Sequence, residues 1–289
     1  MRSSAHRAPI GLFDSGVGGI SVLRAIRRNQ PHEELLYLAD QAHVPYGSRP
    51  VEEVRSFSEQ ITRYLLAQGA KMIVVACNTA SAAALHYLRQ EFPEVPFVGM
   101  EPAVKPAAER TQTGVVGVLA TPATFQGALY ASVIERFANG VTVLQHTCPG
   151  LVGQIEAGHL EDFETRAVLE EALHPMLSQG IDTVVLGCTH YPFVIPIIQD
   201  IVGPKVRVID PAPAIAQQVG RLLDRAELRA REGRMGKVRV LTTGDPLRLG
   251  ELINEFLGEA AEIEHVAWRD GYLTSSLNHS SPRGGHSSL

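Results

Sequence analysis

The sequence contains few cysteines and no long apolar segment. Three cysteines occur among its 289 residues, without a Cys-x-x-Cys pair, so the disulfide framework of a small secreted protein is excluded. No stretch approaches the roughly 18–20 apolar residues of a membrane span. Residues 1–9 contain two arginines without an apolar core after them, which argues against a secretory signal. We therefore expect a cytoplasmic protein whose thiols stay reduced, so that each serves either packing or chemistry.

The sequence is also poor in positive charge and in lysine. Its net charge is −5 and its isoelectric point is near 6.1, which gives no support for binding to nucleic acid or to an anionic membrane. Lysine occurs only four times, and Lys71, at the entrance of a predicted strand, is poorly placed for a Schiff base with pyridoxal. The Gly-x-Ser-x-Gly motif of a serine hydrolase is missing, which disfavours that class of enzyme.

What the sequence does contain is a regular alternation of short apolar runs and amphipathic stretches. Apolar runs at 10–13 and 72–76 predict strands, and the stretches at 50–69 and 124–137 predict helices. Alternation of this kind along most of the chain predicts an α/β fold with mostly parallel sheets and helices on both faces. Residues 275–289 are rich in Ser, Gly and His, and we expect them to form a disordered tail.

Two short segments recur along the chain in the same order. Ile10-Gly-Leu-Phe-Asp14-Ser15 is similar to Val116-Gly-Val-Leu-Ala120-Thr121, and Val74-Val-Ala-Cys77 is similar to Val185-Leu-Gly-Cys188. Each copy has a strand that ends in a hydroxyl residue, followed by a strand that ends in cysteine. The repeat predicts two similar α/β domains, each a mostly parallel sheet flanked by helices, with an active site in the cleft between them.

Cys77 and Cys188 each follow an apolar strand and precede polar residues. In parallel sheets, sites lie at the carboxyl ends of strands, where loops lead into helix N-termini. The N–H groups of such a helix favour negative charge, so we expect the pKa of each thiol to be lowered. One cysteine in this position is commonly just a small buried hydrophobe. Two at equivalent points of a repeat favour a chemical role, whereas Cys148 has no counterpart and is interpreted as structural.

Two thiols on opposite walls of a cleft suit racemisation of an amino acid. The reaction removes the α-proton from one face and returns a proton to the other. Without pyridoxal or a metal it therefore needs a base and an acid on opposite faces. A thiolate serves as the base and a thiol as the acid, and the roles are exchanged in the reverse direction. We expect Asp14 to tune the first thiol, and Glu156 or His190 to tune the second.

Other interpretations of these residues stay open. Gly16-x-Gly18-Gly19 resembles part of a dinucleotide loop but lacks the full Gly-x-Gly-x-x-Gly, so we expect its glycines to let the chain approach a small anion closely. Asp14 is also compatible with a helix cap, and Glu156 with an ordinary exposed acid. Cys188 and His190 are compatible with a cysteine hydrolase, which would leave Cys77 unused. They also resemble a metal pair, but no further ligands with metal spacing follow, so we predict no metal.

Six short segments give the sequence its most specific features. They are Asp14-Ser15-Gly16-Val17-Gly18-Gly19, Asp40-x4-Pro45-Tyr46-Gly47, Cys77-Asn78-Thr79, Thr121-x-x-Thr124, Glu156-Ala157-Gly158 and Gly187-Cys188-Thr189-His190-Tyr191-Pro192. In order and spacing they resemble the motifs of glutamate racemases, in the aspartate/glutamate racemase superfamily, and they lie between Ile10 and Pro211. The resemblance implies interconversion of L- and D-glutamate without a cofactor, which supplies D-glutamate for peptidoglycan.

The resemblance also implies roles for individual residues. Cys77 would act on the D isomer and Cys188 on the L isomer, with support from Asp14, Glu156 and His190. Substrate would be bound by Asp14, Ser15, Pro45, Tyr46, Gly47, Asn78, Thr79, Thr121, Thr124, Thr189 and His190. Neutral hydroxyl, amide and backbone donors hold the carboxylates of the substrate without a cation that would bias the thiols. Homodimers are common in the family.

The sequence predicts the domain boundaries and the substrate less precisely than the site residues. The resemblance implies that the chain returns to the first domain near its end, so we predict a first domain at 1–101 and about 210–270, and a second at 102–209. Two alternatives stay open: a racemase for another substrate, such as aspartate or a hydantoin, and a protein that binds an acidic amino acid without chemistry. A binding protein has no reason to keep two thiols of perturbed pKa facing one ligand.

Overall fold

The computed structural model describes residues 6–275, which form eleven β-strands, eleven α-helices and two short 3-10 turns. The strands are β1 Ile10–Asp14, β2 Leu35–Ala39, β3 Met72–Val75, β4 Phe97–Gly99, β5 Val115–Ala120, β6 Thr142–His146, β7 Thr183–Gly187, β8 Arg207–Ile209, β9 Val238–Thr242, β10 Glu262–Arg269 and β11 Tyr272–Ser275. The helices are α1 Ile20–Asn29, α2 Val51–Ala67, α3 Asn78–Glu91, α4 Val104–Ala108, α5 Pro122–Gln126, α6 Ala128–Phe137, α7 Leu151–Glu156, α8 Phe163–Ser178, α9 Ile195–Val202, α10 Ala212–Arg225 and α11 Pro246–Leu257. The 3-10 turns are Tyr46–Ser48 and Tyr191–Val194.

The strands form two sheets, one of seven strands in the order β11-β10-β9-β2-β1-β3-β4 and one of four in the order β6-β5-β7-β8. Every neighbouring pair is parallel except β10 and β11. Strands β1, β2, β3 and β7 are buried along their whole length, as is usual where helices cover both faces of a parallel sheet. The predicted two-domain α/β fold is therefore confirmed.

The two sheets share a common core that corresponds to the repeat in the sequence. The order β2-β1-β3-β4 in the first sheet matches β6-β5-β7-β8 in the second. The register matches as well: Gly11 pairs with Ile73 in the first sheet, and the equivalent Gly117 pairs with Val184 in the second. The strands that precede Cys77 and Cys188 therefore occupy equivalent places in two copies of one structural unit.

After β8 the chain returns to the first sheet, where β9 pairs with β2 and is followed by β10 and β11. Helices α10 and α11 pack against α1 on one face of this sheet. A return of the chain to the first domain near its end was expected from the sequence. The exact boundaries of the two domains stay predictions. The predicted tail at 275–289 lies, apart from Ser275, outside the described residues.

One local prediction was wrong, and one strand was not predicted. The helix expected at 124–137 is divided into α5 and α6 at Gly127, whose backbone is extended with φ −70° and ψ 139°. A Cβ on Gly127 would lie 2.8 Å from the Cβ of Ala82, so the break lets this segment pack closely on α3. Strand β11 was not predicted; it forms a hairpin with β10 through Asp270 and Gly271, which both have positive φ.

The part of the chain between residues 6 and 275 contains no helix that combines the length and the apolar character needed to cross a membrane.

Candidate active site

The two predicted catalytic cysteines lie at the carboxyl ends of equivalent strands and line one cavity. Cys77 stands two residues after β3, and Cys188 follows β7 directly. The cavity is lined by Ser15, Pro45, Tyr46, Gly47, Cys77, Asn78, Thr79, Thr121, Val152, Cys188, Thr189 and His190. Eleven of the fourteen predicted site residues therefore line the cavity; the other three, Asp14, Thr124 and Glu156, contact this set through hydrogen bonds described below.

Cys77 is the N-cap residue of helix α3, and its Sγ accepts a hydrogen bond of 3.5 Å from the backbone N–H of Ala80. Its side chain is buried. Burial raises the pKa of the Cys77 thiol well above its usual range, the negative charge of Asp14 adds to this effect, and the Ala80 N–H offsets only part of it. The expectation of a lowered pKa was therefore wrong for Cys77: the helix N–H group acts in the expected direction, but desolvation of the thiolate outweighs it.

Asp14 ends strand β1 beside Cys77 and is completely buried. Its Oδ2 accepts hydrogen bonds from the N–H of Gly19, at 2.7 Å, and from Oγ1 of Thr189, at 3.4 Å. Burial raises the pKa of Asp14, although the charge of His190 acts in the opposite direction. Asp14 therefore links the start of α1 in the first domain to the loop after β7 in the second.

Cys188, His190 and Glu156 form a connected chain in the second domain. Nδ1 of His190 lies 3.7 Å from Sγ of Cys188, and Nε2 lies 2.6 Å from Oε1 of Glu156. Burial alone would lower the pKa of His190, but its hydrogen bonds to Cys188 and Glu156 and their charges raise it well above its usual value. Burial likewise opposes ionisation of Glu156, but His190 holds the pKa of this carboxyl below its usual value. Both shifts favour the form of the pair in which His190 is an imidazolium and Glu156 a carboxylate.

The glycine-rich loop after β1 packs directly on this ion pair. Val17 donates its N–H to Oε1 of Glu156 at 2.7 Å. A Cβ on Gly16 would overlap Oε1 of Glu156 and lie 2.6 Å from its Cδ, and a Cβ on Gly18 would overlap Nδ1 of His190. The close approach expected for these glycines is thus made to a protein carboxylate and its partner imidazole, which come from the other domain.

Hydroxyl groups connect the two domains on the opposite side of the cavity. Oγ1 of Thr79 lies 2.9 Å from Oγ1 of Thr121, which lies 2.9 Å from Oγ1 of Thr124. Thr121 is also the N-cap of helix α5. The amide of Asn78 is buried, and neither of its polar atoms finds a hydrogen-bond partner among residues 6–275. Because an unpaired buried amide is costly, Asn78 is available for a polar ligand in the cavity.

Tyr46 and Gly47 begin the 3-10 turn that closes one side of the cavity. The Tyr46 hydroxyl donates to Oδ2 of Asp40 at 2.7 Å, and its side chain is 1% exposed. Burial and the charge of Asp40 raise the pKa of Tyr46 well above its usual range. The Tyr46 hydroxyl already donates to Asp40. We therefore expect the turn to contact a substrate through its backbone groups and not through the phenol. A Cβ on Gly47 would lie 2.9 Å from Cβ of Thr121, so the turn packs closely on the second domain.

Cys148 is not among the residues that line the cavity. It is buried in a hydrophobic cluster that includes residues of both domains, its N–H donates to Nδ1 of His146 at 3.0 Å, and burial raises its pKa to about 12. These surroundings agree with its interpretation as a structural residue. Among residues 6–275, no group of three His, Cys, Asp or Glu side chains is arranged to hold a metal ion.

The sequence-based prediction missed three contributors to the site. The N–H of Val17 and the amide of Gln41, whose Nε2 lies 3.4 Å from Oε2 of Glu156, hold the ion pair from the first domain. Val152 adds apolar surface to the cavity wall. Val17 lies inside a recognised motif, but no feature of the sequence shows that its backbone faces a residue 139 positions away.

Comparison with known proteins identifies the family. A family profile described as Asp/Glu/Hydantoin racemase matches residues 19–219. The glutamate racemase of Roseiflexus sp. (strain RS-1) is 54% identical over 253 residues, which are 87% of this chain and 93% of that protein. The crystal structure of Escherichia coli glutamate racemase with L-glutamate and the activator UDP-MurNAc-ala has a TM-score of 0.79 and 31% identity, covering 90% of this chain and 98% of its own.

A further crystal structure, of glutamate racemase from Francisella tularensis in complex with D-glutamate, has a TM-score of 0.79 and 29% identity, and covers 91% of this chain and 98% of its own. Two α/β domains with a thiol at equivalent strand ends, together with these matches, define the class: the chain belongs to the Asp/Glu/Hydantoin racemase family. Within that family it groups with the glutamate racemases and is an isomerase. The alternative of a binding protein without chemistry is therefore excluded.

Proposed function

We propose that this enzyme interconverts L- and D-glutamate by proton transfer between Cys77 and Cys188, without a cofactor. The observation that carries the proposal is the placement of two thiols at the ends of equivalent strands, on two domains that share one cavity. Each thiol has a different partner: Asp14 stands beside Cys77, and His190 beside Cys188. Perturbed ionisable groups that converge on one cavity are typical of acid–base catalysis.

Two thiols on one cavity supply the acid and the base, and the resemblance to glutamate racemases implies which sulfur acts on which enantiomer. In one direction Cys188, as a thiolate, removes the α-proton of L-glutamate, and the Cys77 thiol gives a proton to the opposite face, which yields D-glutamate. In the reverse direction the Cys77 thiolate removes the proton and the Cys188 thiol returns one. The raised pKa of Cys77 keeps its proton in place at neutral pH, as the acid requires. His190, as an imidazolium, can donate a hydrogen bond to Cys188 while this sulfur carries negative charge.

The cavity offers neutral donors for two carboxylates. The donors are the unpaired amide of Asn78, the hydroxyl groups of Ser15, Thr79, Thr121 and Thr189, and the backbone N–H groups of Tyr46 and Gly47; the Thr124 hydroxyl is joined to them through Thr121. Asp14 does not line the cavity itself, but its carboxylate is hydrogen-bonded to Thr189 of the lining, and we assign it to the ammonium group of the substrate. The crystal structures of the relatives from E. coli and F. tularensis, which contain L-glutamate and D-glutamate respectively, support glutamate as the substrate.

The physiological setting completes the proposal. D-glutamate made in the cytoplasm would serve peptidoglycan synthesis, and the enzyme would act as a homodimer. Both points rest on the resemblance of the sequence motifs to those of glutamate racemases.

Isotope labelling tests the two-base mechanism. When the reaction starts from a single enantiomer in D2O, we expect the product to carry deuterium at Cα while the remaining substrate stays protiated at low conversion. The reason is that the proton removed by one sulfur remains on that sulfur while the other sulfur supplies solvent-derived deuterium. The labelling is measured by NMR or mass spectrometry after separation of the enantiomers.

The same experiment is repeated from the other enantiomer, which should give the mirror result. Equal early labelling of substrate and product would contradict the proposal, because it requires one base that serves both faces. Substrate preference is measured separately: circular dichroism should show racemisation of glutamate and not of aspartate at equal enzyme concentration. Faster turnover of aspartate would overturn the assignment of glutamate.

Removal of the Glu156 charge is expected to change the pH dependence of turnover of L-glutamate. Glu156 holds His190 in its cationic form, so Glu156→Gln lowers the pKa of the imidazole and the cation is lost at a lower pH. The alkaline limb of kcat/KM should therefore move down by about one pH unit or more. Glu164→Gln, which changes an exposed acid on α8, serves as the control and should leave the profile unchanged. An unshifted alkaline limb in Glu156→Gln would exclude this role for the pair.

A further inference from the structure

Asp40 is a buried carboxylate that the proposed mechanism does not use. It follows strand β2 directly and is completely inaccessible to solvent. Four side chains donate to it: Tyr46 at 2.7 Å and His43 at 2.8 Å to Oδ2, and Thr243 at 2.8 Å and Trp268 at 2.7 Å to Oδ1. A carboxylate has room for about four such bonds, so Asp40 has its full complement of donors.

The four donors come from two separate parts of the chain. His43 and Tyr46 belong to the segment that leads into the substrate turn, whereas Thr243 follows β9 and Trp268 lies in β10. One oxygen of Asp40 therefore holds the turn and the other holds the late strands of the first sheet. The carboxylate is the link between these two parts of the fold.

Aromatic packing supports the same link. His43 stacks on Phe57 of helix α2 at a centroid distance of 3.9 Å and an interplanar angle of 12°. Trp268 meets His43 edge-on at 5.1 Å and Phe57 at 5.6 Å. The ring of Tyr46 lies 5.8 Å from that of Phe57. The donors to Asp40 are therefore held in place by one another and by α2, which limits the freedom of the turn.

The position of the turn matters because it faces the second domain. Tyr46 and Gly47 line the cavity, and Gly47 packs against Thr121, which belongs to the hydroxyl chain with Thr79 and Thr124. A shift of the turn would change the distance between its backbone groups and these hydroxyls. We expect such a shift to weaken binding of a ligand held between these groups. It should change the positions of the Cys77 and Cys188 sulfurs less, because these follow β3 and β7.

We propose that Asp40 is a positioning residue, through which β9 and β10 fix the Pro45–Gly47 turn at the spacing that glutamate requires. The proposal rests on the proposed function, because it takes the turn as part of the glutamate site. Asp40 does not touch substrate; it acts by holding Tyr46. The late strands of the chain thus contribute to substrate affinity although none of their residues lines the cavity.

Two variants separate this role from general support of the fold. Asp40→Asn places an NH2 group against two of the four donors, and Trp268→Phe removes one donor while keeping an aromatic ring against His43 and Phe57. We expect KM for both enantiomers to rise about tenfold in Asp40→Asn and about threefold in Trp268→Phe, with kcat changed less than about threefold. Trp268 is the only tryptophan of the chain, so its fluorescence emission should also change in Asp40→Asn.

Tyr87→Phe is the matched control. It removes the hydroxyl of another aromatic side chain that donates to a carboxylate, Glu59, at 2.6 Å between α2 and α3, and it should leave KM and the emission of Trp268 unchanged. An unchanged KM in both test variants, or a fall in kcat at constant KM, would overturn the proposal and leave Asp40 a purely structural role. If Asp40→Asn does not fold, Trp268→Phe decides alone. The two-base mechanism is tested by labelling of the unmodified enzyme, so its failure is distinguishable from failure here.

Discussion

Replacement of either Cys77 or Cys188 by serine is expected to lower kcat by at least about 10³-fold in both directions, with the fold intact. Serine is nearly the same size as cysteine, so the buried positions of both residues tolerate it. Its hydroxyl is a far weaker acid than a thiol and does not form an alkoxide near neutral pH. Because racemisation needs a base on one face and an acid on the other, loss of one group stops both directions. Circular dichroism of glutamate measures the rates.

Cys148→Ser provides the matched control for these two variants. Cys148 is as deeply buried as the other two cysteines, but it lies in a hydrophobic cluster and does not line the cavity. We expect Cys148→Ser to keep kcat within about twofold while losing some stability, because a hydroxyl is more costly to bury than a thiol. A folded but inactive Cys148→Ser protein, or an active Cys77→Ser protein, would contradict the assignment of the two bases.

The arrangement of the cysteines could be predicted because it depends on local pattern and on topology. A cysteine that directly follows an apolar run lies at a strand end, and parallel strands place their carboxyl ends at the same edge of the sheet. The repeat then placed Cys77 and Cys188 at equivalent strand ends, and the matching registers of β1 with β3 and of β5 with β7 agree with this.

The electrostatic state of the thiols could not be predicted in the same way. The sequence shows that Cys77 precedes a helix, and the structure confirms that the helix donates an N–H to its sulfur. How strongly the thiolate is desolvated depends instead on the residues that close the cavity, and Asp14 comes from a different strand. Such terms depend on packing between distant segments, so a motif that predicts the position of a titratable group does not predict its pKa.

Two further features had a signal in the sequence that was not used. Asp270-Gly271 is a typical hairpin turn, and it connects β10 to the unpredicted strand β11. Asp40 belongs to one of the recognised motifs but received no role, because its partners Thr243 and Trp268 lie about 200 residues away in a part of the chain without recognised motifs. Both features depend on the late return of the chain to the first sheet.

Gly16→Ala is expected to lower kcat by about 10²-fold with little loss of stability. The Cβ of alanine would overlap Oε1 of Glu156, which is the end of a flexible side chain and can turn away. Glu156 would then lose its hydrogen bonds to the Val17 N–H and to His190, and His190 would lose the partner that holds its position beside Cys188. The substitution therefore disturbs the alignment of the catalytic groups and leaves the hydrophobic core intact. We expect activity to fall while the melting temperature changes little.

Gly153→Ala tests whether the effect comes from the position of the new methyl group. Gly153 lies in helix α7, which also carries Glu156, and nothing lies within 4 Å of a Cβ at this position. Alanine should stabilise this helix by about 0.5–1 kcal/mol and leave kcat unchanged. Kinetics and the melting temperature of both variants are measured together. Retention of full activity by Gly16→Ala would mean that the contact between Glu156 and the glycine loop has no part in catalysis, and that the glycines there serve only the course of the backbone.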